Sequence, residues 1–377
     1  MISFDGFRWD YLDRNLTPNI DSLISDGVKA TSLQPVYPTK TFPNHLAIVT
    51  GMYAENHGII QNEFIDLTTK RVYKISDTIE VRDSRWYKGE AIWETARKQG
   101  KITASYFWPG SELNDSTKRP NYVERYQHTR PYERRLEGVK RWLELPKDER
   151  PDFIALYIDA TDTQGHWFGP NSMEINRTIA EMDSLIGKLV QYLKQTKRFE
   201  STNILIVSDH GMTEIDPQRT IVVGDYLKEE KYLAEWDGPI LLLESLENRN
   251  AEIVNTLRRQ LKHAQVYLKN EIPDSFHLKK SESVFSILVA ADLGWSLTDK
   301  ELSKKRLLNF PKGNHGFNQH HKEMQGIFVA RGPAFKKKFK IGTMENIDIY
   351  PLLCKILKIQ QNVNIDGKLK RVESLLE

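Results

Sequence analysis

The hydrophobic positions of the chain form two alternating patterns. Short apolar runs predict strands, at 101–107, 152–158 and 203–207. Apolar residues with helical spacing predict helices, at 17–27, 90–99, 131–145 and 175–193. The run from 204 to 207 is continuously apolar, as expected of a strand buried on both faces, and Thr17 offers a capping hydroxyl to the first helix. The alternation predicts an α/β fold with a doubly wound, mostly parallel sheet and helices on both faces.

The pattern changes between residues 216 and 310. Three strand-like runs at 221–223, 239–243 and 284–290 surround one basic helix at 251–263. Because no flexible linker flanks this stretch, we expect an inserted cap subdomain within a single catalytic domain that spans 1–377. The core pattern resumes with a strand at 326–330 and a closing helix at 347–357.

Composition excludes several classes of protein. The chain has 377 residues, 39% of them hydrophobic and 28% charged, as in ordinary soluble globular proteins. A net charge of +3 is too small to indicate recognition of duplex nucleic acid or of a membrane surface. No apolar run is long enough for a transmembrane segment. Cys354 is the single cysteine, so an internal disulfide is impossible.

One stretch, 35–45, places the hydroxyls of Thr39 and Thr41 between prolines and directly before an apolar helical segment at 46–50. A hydroxyl at the start of a helix lies near free backbone N–H groups and the positive end of the macrodipole. Such a position suits an anion such as phosphate. On this stretch alone, a simple N-cap is the favoured explanation of Thr41, and only the metal-ligand residues elsewhere in the chain change that preference.

Aspartate and histidine residues occur at four places where predicted strands end or are about to begin. They are Asp5, the pair Asp162 and His166, the pair Asp209 and His210, and His315. The carboxyl ends of strands in a doubly wound sheet meet in one crevice, so we expect these side chains to converge there. Three carboxylates and three imidazoles suit two divalent ions of the zinc type.

Two metals about 4 Å apart form a clamp for in-line displacement at phosphorus. A threonine hydroxyl is inert until it is activated, and a metal beside it would lower its pKa. Thr41 therefore fits the role of nucleophile in such a site.

The motifs that carry these residues are collinear over nearly the whole chain. They are Ser-Phe-Asp5-Gly-Phe-Arg-Trp-Asp-Tyr, Pro-Thr-Lys-Thr41-Phe-Pro-Asn-His, Glu-Asn-His-Gly-Ile, Phe-Trp-Pro-Gly-Ser, Asp162-x-x-Gly-His166-x-x-Gly-Pro, Ser-Asp209-His210-Gly-Met and Asn-His315-Gly-Phe. Together they resemble the nucleotide pyrophosphatase/phosphodiesterases of the alkaline phosphatase superfamily, in a bacterial-type form with the catalytic domain only. The resemblance implies an alkaline-phosphatase-like fold. It also implies hydrolysis of nucleotide phosphodiester and pyrophosphate bonds to nucleoside 5′-monophosphates through a phospho-threonine.

The resemblance also implies roles for individual residues. One zinc ion would be held by Asp162, His166 and His315, and the other by Asp5, Asp209 and His210, with Thr41 beside it. Asn62 would donate to a phosphate oxygen, assisted by the backbone of Thr41 or Phe42. Phe42, Tyr126 and Tyr157 would form an aromatic slot for the base of a nucleotide substrate, although aromatic residues also serve simply as core. His45 and His57 belong to the motifs but are better explained as structural residues or as neighbours of the ligands.

Two positions depart from the family pattern. Asp159-Ala-Thr replaces Glu-Glu-Pro before Asp162, and Asn318-Gln319 replaces Asp-Asn after His315. Neither change removes a predicted ligand, so both affect substrate preference rather than the metals. Because residues 1–5 resemble the end of a buried strand, we expect further residues and an export signal upstream. The enzyme would then be periplasmic, secreted or membrane-anchored.

Other functions of the same chemistry remain open at this point. A sulfatase would need Cys or Ser in a Cys/Ser-x-Pro-x-Arg context, whereas the sequence after Thr41 is Phe-Pro-Asn. A phosphomonoesterase would add a cation for the extra phosphate charge, and a lysophospholipid or choline-phosphate phosphodiesterase would have an apolar channel or an aromatic cage. A binding protein without catalysis would be expected to lack Thr41 or a ligand, and all seven residues are present.

Overall fold

The computed structural model describes residues 1–300, 307 and 309–377; residues 301–306 and 308, which belong to the predicted insertion, lie outside the described part. The helices there are α1 Pro18–Ser25, α2 Thr41–Thr50, α3 Ala54–His57, α4 Ile92–Lys98, α5 Tyr132–Glu144, α6 Ala160–Phe168, α7 Met173–Gln195, α8 Asn250–Gln260 and α9 Ile349–Leu357. The strands are β1 Ile2–Phe4, β2 Val28–Ala30, β3 Leu33–Gln34, β4 Glu63–Ile65, β5 Val72–Lys74, β6 Thr103–Tyr106, β7 Tyr122–Glu124, β8 Phe153–Ile158, β9 Ile204–Val207, β10 Thr213–Glu214, β11 Thr220–Val222, β12 Tyr232–Asp237, β13 Ile240–Ser245, β14 Ala264–Leu268, β15 Ile287–Ala291, β16 Ser296–Thr298, β17 Gly313–Asn314, β18 Phe328–Arg331, β19 Phe339–Ile341 and β20 Met344–Glu345.

Eight strands form the central sheet, in the order β19-β2-β18-β9-β1-β8-β6-β7. All neighbouring strands are parallel except at β18, which runs antiparallel to both β9 and β2. The prediction of a mostly parallel sheet is therefore confirmed. Because β18 is reversed, its first residue, Phe328, pairs with Val207 at the end of β9. The chain that precedes β18 thus reaches the edge of the sheet where β9 ends.

Helices cover both faces of this sheet, as the apolar strand at β9 predicts. Ile204 and Ile206 pack in one core cluster with side chains of α1, α5 and α7. Leu205 and Val207 point to the opposite face and pack with side chains of α2, α4 and α9. Since successive residues of a strand face opposite ways, a strand with no polar position is required at this central place.

The predicted cap of α1 by a threonine hydroxyl is wrong. Thr17 precedes the helix but its hydroxyl contacts the side chain of Asp21. The first-turn N–H groups of Asn19 and Ile20 instead donate to the carboxylate of Asp183, on α7, at 3.1 and 2.8 Å. The carboxylate of Asp183, 163 positions from Ile20, thus accepts hydrogen bonds from the otherwise unpaired N–H groups of the helix terminus. It also links α1 to α7.

The stretch 216–310 contains a separate four-stranded antiparallel sheet in the order β12-β13-β15-β14. Leu241 and Leu243 of β13 pack in a small core with α8, while Ile240 and Leu242 join the core of the central sheet. Asp237, at the end of β12, accepts from the Nζ of buried Lys40 at 2.7 Å. This sheet is therefore packed against the segment that carries Thr41. None of the helices described above has both the length and the apolar character needed to cross a membrane.

Candidate active site

Three carboxylates converge at one edge of the central sheet. Asp5 directly follows β1, and Asp209 lies two residues after β9. Asp162 follows the end of β8 by four residues, but it lies in the first turn of α6 rather than in a loop, and His166 is one turn further along the same helix. Since β1 lies between β8 and β9, these turns are adjacent, as the sequence predicts.

Gly6 brings the three carboxylate segments together. Its backbone has a φ of 66°, in the left-handed region that favours glycine, and its N–H donates to Asp209 Oδ1 at 3.1 Å. A Cβ atom at this position would lie 2.9 Å from the Cα of Asp162. The residue that follows Asp5 thus touches the segments of both other carboxylates, and no larger residue fits there.

The three imidazoles share one hydrogen-bonding arrangement. Nδ1 lies 2.9 Å from the carbonyl oxygen of Gly313 in His166, 2.8 Å from that of Gly211 in His210 and 2.7 Å from that of Thr39 in His315. A carbonyl oxygen only accepts, so each Nδ1 carries the proton and each Nε2 directs its lone pair into the site, where the Nε2 atoms of His166 and His315 lie 3.2 Å apart. Protein metal sites orient their histidine ligands in this way. His315 is brought to the site by the short antiparallel pairing of β17 with β10, an element that the sequence pattern did not predict.

The ligand atoms fall into two groups. His210 Nε2 lies 3.3 Å from Asp5 Oδ1 and 3.0 Å from Asp209 Oδ2. In the other group, Asp162 Oδ1 lies 3.3 Å from His166 Nε2 and 3.5 Å from His315 Nε2. The groups adjoin, because the rings of His210 and His315 stack with centroids 3.6 Å apart. Two further sets of three ligand atoms lie within 4.8 Å of one another. One set comes from Asp162, His210 and His315, and the other from Asp5, His45 and Asp209.

These groups fit divalent cations. Asp5 Oδ1, Asp162 Oδ1 and Asp209 Oδ2 are buried, and none has a hydrogen-bond partner among the described residues. Burial and then the nearby carboxylates of Asp209 and Asp162 raise the pKa of Asp5 well above its usual range. Three buried carboxylates side by side repel one another unless a cation lies between them. Oxygen and imidazole nitrogen together are the ligands of zinc-type ions.

The histidines already moderate this repulsion. Burial would raise the pKa of Asp209, but the neighbouring rings of His210 and His45 hold it well below its usual range. Burial, followed by His210 and Lys40, lowers the pKa of His315 well below its usual range, so its ring is neutral. A neutral ring is the form that binds a metal.

In His45 and His57, by contrast, both ring nitrogens have hydrogen-bond partners away from the proposed ions. His45 Nδ1 donates to the carbonyl of Thr41 at 2.9 Å, and its Nε2 lies 2.8 Å from the hydroxyl of Ser3. His57 Nε2 donates to the carbonyl of Pro43 at 3.0 Å, and its Nδ1 accepts from the N–H of Ile59. Both rings use both nitrogens for structure. His45 therefore supports the site from behind, although its Nδ1 lies 3.4 Å from Asp209 Oδ2.

The hydroxyl of Thr41 faces the carboxylate and imidazole groups described above. Thr41 is the first residue of α2, the N-cap is Lys40, and no side chain caps this helix. Thr41 Oγ1 is buried and lies 3.4 Å from His210 Nε2. The structure therefore excludes the N-cap explanation, and the hydroxyl lies at the helix terminus where an anion would bind.

Asn62 lies beside Thr41 with a defined orientation. The backbone N–H of Phe42 donates to Asn62 Oδ1 at 3.0 Å, so the amide nitrogen of Asn62 is directed away from Phe42. No side-chain hydrogen bond from this amide nitrogen is formed within the described part of the chain, and it is available to a ligand. Of the two backbone groups expected to assist it, the N–H of Thr41 remains, because that of Phe42 is occupied.

A cavity of about 430 Å³ opens from the site between Thr41 and Asp162. Phe42, Tyr126 and Tyr157 all line it. Tyr126 is 44% exposed, whereas Tyr157 is 7% exposed and its hydroxyl donates to Asp5 Oδ2 at 2.6 Å. The three aromatic residues are thus brought together as the resemblance implies, but they differ in environment.

Two charged contacts near the site have no signal in the local sequence. Asp159, which departs from the family pattern, accepts from the fully buried Arg135 at 2.7 Å and lies 3.1 Å from His128 Nδ1 at the rim of the cavity. Lys40 pairs with Asp237, 197 residues away. A single sequence does not show whether a charged residue is exposed or buried in an ion pair. These partners are therefore identified only from the fold.

A doubly wound sheet with paired carboxylate and imidazole groups at its carboxyl edge, and a buried threonine at a helix terminus, defines a hydrolase of the alkaline phosphatase superfamily. Residues 1–318 match the family described as Type I phosphodiesterase / nucleotide pyrophosphatase. The chain belongs to this family.

Several known proteins are similar over the whole chain. The bis(5′-adenosyl)-triphosphatase of Xenopus laevis is 35% identical over 379 residues, which cover 100% of this chain and 81% of the frog protein. Ectonucleotide pyrophosphatase/phosphodiesterase family member 3 of Rattus norvegicus is 36% identical, and the match covers 97% of this chain but 42% of the rat protein. Murine ectonucleotide pyrophosphatase/phosphodiesterase 5, solved as an inactive threonine-to-alanine variant in complex with AMP, superposes with a TM-score of 0.93 at 32% identity and covers 100% of this chain and 98% of its own.

Proposed function

We propose that this chain is a two-zinc enzyme that hydrolyses nucleotide phosphodiester and pyrophosphate bonds to nucleoside 5′-monophosphates, with Thr41 as the nucleophile. The observation that carries the proposal is the position of the Thr41 hydroxyl, 3.4 Å from His210 Nε2, at a helix terminus beside two groups of free ligand atoms. The murine relative supports it, because that protein is inactive as a threonine-to-alanine variant and binds AMP.

Each zinc ion has three protein ligands in this proposal. Asp162, His166 and His315 hold one, and Asp5, Asp209 and His210 hold the other. When bound, the ions lower the pKa of a coordinated hydroxyl and neutralise charge on phosphate oxygens. The protein contributes the orientation of each ligand, through Gly6 and the three backbone carbonyls that accept from Nδ1.

The reaction proceeds in two displacements at phosphorus. Thr41 Oγ1 first attacks the phosphorus attached to the nucleoside, and the leaving oxygen departs in line with it. Water then displaces Thr41 from the phospho-threonine and releases the nucleoside 5′-monophosphate. The amide nitrogen of Asn62 and the N–H of Thr41 donate to the non-bridging oxygen, where negative charge increases in each transition state.

The aromatic cavity recognises the nucleoside. Phe42 and Tyr126 offer faces on which a base stacks, and stacking does not read the base edge, so several nucleotides are accepted. Pyrophosphate is the leaving group when the substrate is a nucleoside triphosphate. We further propose that residues 1–377 act as one catalytic domain with 216–310 as its insertion, and that the enzyme acts outside the cytoplasm. The names of the ectonucleotide and venom relatives support the last point.

Three chromogenic substrates test the proposal against its alternatives. A p-nitrophenyl ester of a nucleoside 5′-monophosphate should have a kcat/KM at least tenfold above those of p-nitrophenyl phosphate and p-nitrophenyl phosphorylcholine. Faster turnover of p-nitrophenyl phosphate would instead establish a phosphomonoesterase, and faster turnover of the choline ester a choline-phosphate phosphodiesterase. ATP provides a second check, since pyrophosphate and AMP are the expected products, whereas orthophosphate would contradict the proposal.

A further inference from the structure

Tyr157 contacts Asp5, one of the proposed metal ligands, and also lines the aromatic cavity. It lies near the end of β8, next to β1 in the sheet, and its hydroxyl donates to Asp5 Oδ2 at 2.6 Å. Asp5 Oδ1 keeps no hydrogen-bond partner among the described residues and faces His210 Nε2 at 3.3 Å. The two oxygens of Asp5 thus have different environments, and Tyr157 is the side chain that distinguishes them.

The ring of Tyr157 is held firmly enough to direct this bond. It is almost fully buried and meets the ring of His45 edge-on, with centroids 5.1 Å apart and planes at 80°. His45 is itself fixed by Ser3 on β1 and by the backbone of Thr41. A buried phenol with a fixed ring has few alternative orientations, so its hydroxyl holds Asp5 in one rotamer.

We infer that Tyr157 is a positioning residue for Asp5, and that its hydroxyl keeps Oδ1 directed at the metal while its ring packs on His45 and lines the cavity. This inference rests on the proposed zinc site. Hydrogen-bond partners behind a metal ligand contribute typically 10- to 100-fold in metal affinity. Removal of the hydroxyl should therefore weaken the ion held by Asp5, Asp209 and His210, and leave the ion at Asp162, His166 and His315 nearly unchanged.

The test compares Tyr157→Phe with Tyr11→Phe. Both substitutions remove one phenolic hydroxyl from the same core cluster, and the hydroxyl of Tyr11 has no partner in the described part of the chain. Metal-free samples of the parent and both variants are titrated with zinc against a chelator of known affinity. Far-ultraviolet circular dichroism and the melting temperature of the metal-free proteins report whether the fold is retained.

The parent and Tyr11→Phe should bind two zinc ions with the same affinities, and Tyr157→Phe should bind one of the two at least tenfold more weakly. Its hydrolysis of a small aryl phosphodiester should fall at limiting zinc and recover as free zinc is raised, because the ring that lines the cavity is still present. Equal zinc affinities in Tyr157→Phe and the parent would overturn the inference and leave the proposed function intact. A parent that binds no zinc would overturn both.

Discussion

The backbone carbonyl of Thr39 accepts from Nδ1 of His315 at 2.7 Å, across 276 positions of the chain. The side chain of Thr39 reinforces this contact: its hydroxyl accepts from the N–H of Gly316 at 2.8 Å and donates to the carbonyl of Phe317 at 3.0 Å. Of the two threonine hydroxyls in the stretch 35–45, that of Thr39 therefore holds the segment that carries His315, and that of Thr41 faces the site.

Thr39→Val tests this division of roles. Valine has nearly the shape of threonine but leaves the N–H of Gly316 and the carbonyl of Phe317 without partners in a buried place, at a cost of about 1–3 kcal/mol in the free energy of unfolding. Urea denaturation should show that loss, and zinc titration should show weaker binding of the ion proposed at Asp162, His166 and His315. Thr39→Ser, which keeps the hydroxyl, should resemble the parent in both measurements; if serine and valine behaved alike, the hydroxyl would have no such role.

Thr41→Ala should retain the fold and the metals but lose most phosphodiester hydrolysis, because it removes the hydroxyl that lies 3.4 Å from His210 Nε2 at the start of α2. Thr41→Ser should retain part of the activity. Circular dichroism and zinc content serve as controls for the two variants. Hydrolysis of a chiral thiophosphate diester should proceed with retention at phosphorus, since two in-line inversions cancel. Inversion, or an alanine variant with near-parental turnover, would indicate direct attack by water instead.

The purified protein should contain close to two zinc ions per chain by elemental analysis. Chelation should abolish hydrolysis and added zinc should restore it. Because the ligand imidazoles must be neutral to bind metal, zinc affinity and activity should both decrease in acid. Full activity in a rigorously metal-free sample would disprove the metal assignment.

Tyr126→Ala tests the aromatic cavity. Loss of one stacking surface, on the order of 1–3 kcal/mol, should raise KM for nucleotides roughly tenfold while barely affecting an aryl phosphodiester that is too small to contact Tyr126. Tyr126 is a cleaner choice than Tyr157, whose truncation would also release Asp5. Tyr122→Ala is the matched control, because Tyr122 stacks on Trp142 and does not line this cavity. Equal KM changes for both substrates would argue against base stacking.

His57 should make the fold sensitive to acid. Burial lowers the pKa of His57 from about 6.5 to about 3, and the hydrogen bond from its Nε2 to the carbonyl of Pro43 offsets only part of this shift. Between these values the unfolded chain binds a proton that the folded chain does not. The free energy of unfolding should therefore fall as pH is lowered from 6.5 towards 3, by at most about 1.4 kcal/mol per pH unit from this residue. His57→Gln, in zinc-loaded protein, should show a shallower pH dependence; an unchanged slope would contradict the assignment.

The parallel sheet was predictable from short apolar runs such as β9, a strand that is buried on both faces and contains no polar residue. The convergence of Asp5, Asp162 and Asp209 followed from the same topology. The sequence did not indicate that Tyr157 bonds to Asp5, or that Asp183 caps α1, because each depends on side chains more than 150 positions apart. Local sequence patterns indicate burial and periodicity. Contacts between distant side chains depend instead on how helices and strands pack together in the fold.

Gly6 is not a ligand, yet it restricts how the site tolerates change. Its N–H holds Asp209, and its Cα leaves no room for a methyl group beside the backbone of Asp162. A single added carbon at residue 6 would push apart the carboxylates of Asp162 and Asp209, which are proposed to hold different metal ions, while every proposed ligand kept its identity. A relative with a larger residue at this position would keep all the proposed ligands but have a distorted site. Judged by its ligand residues alone, it would be wrongly classified as active.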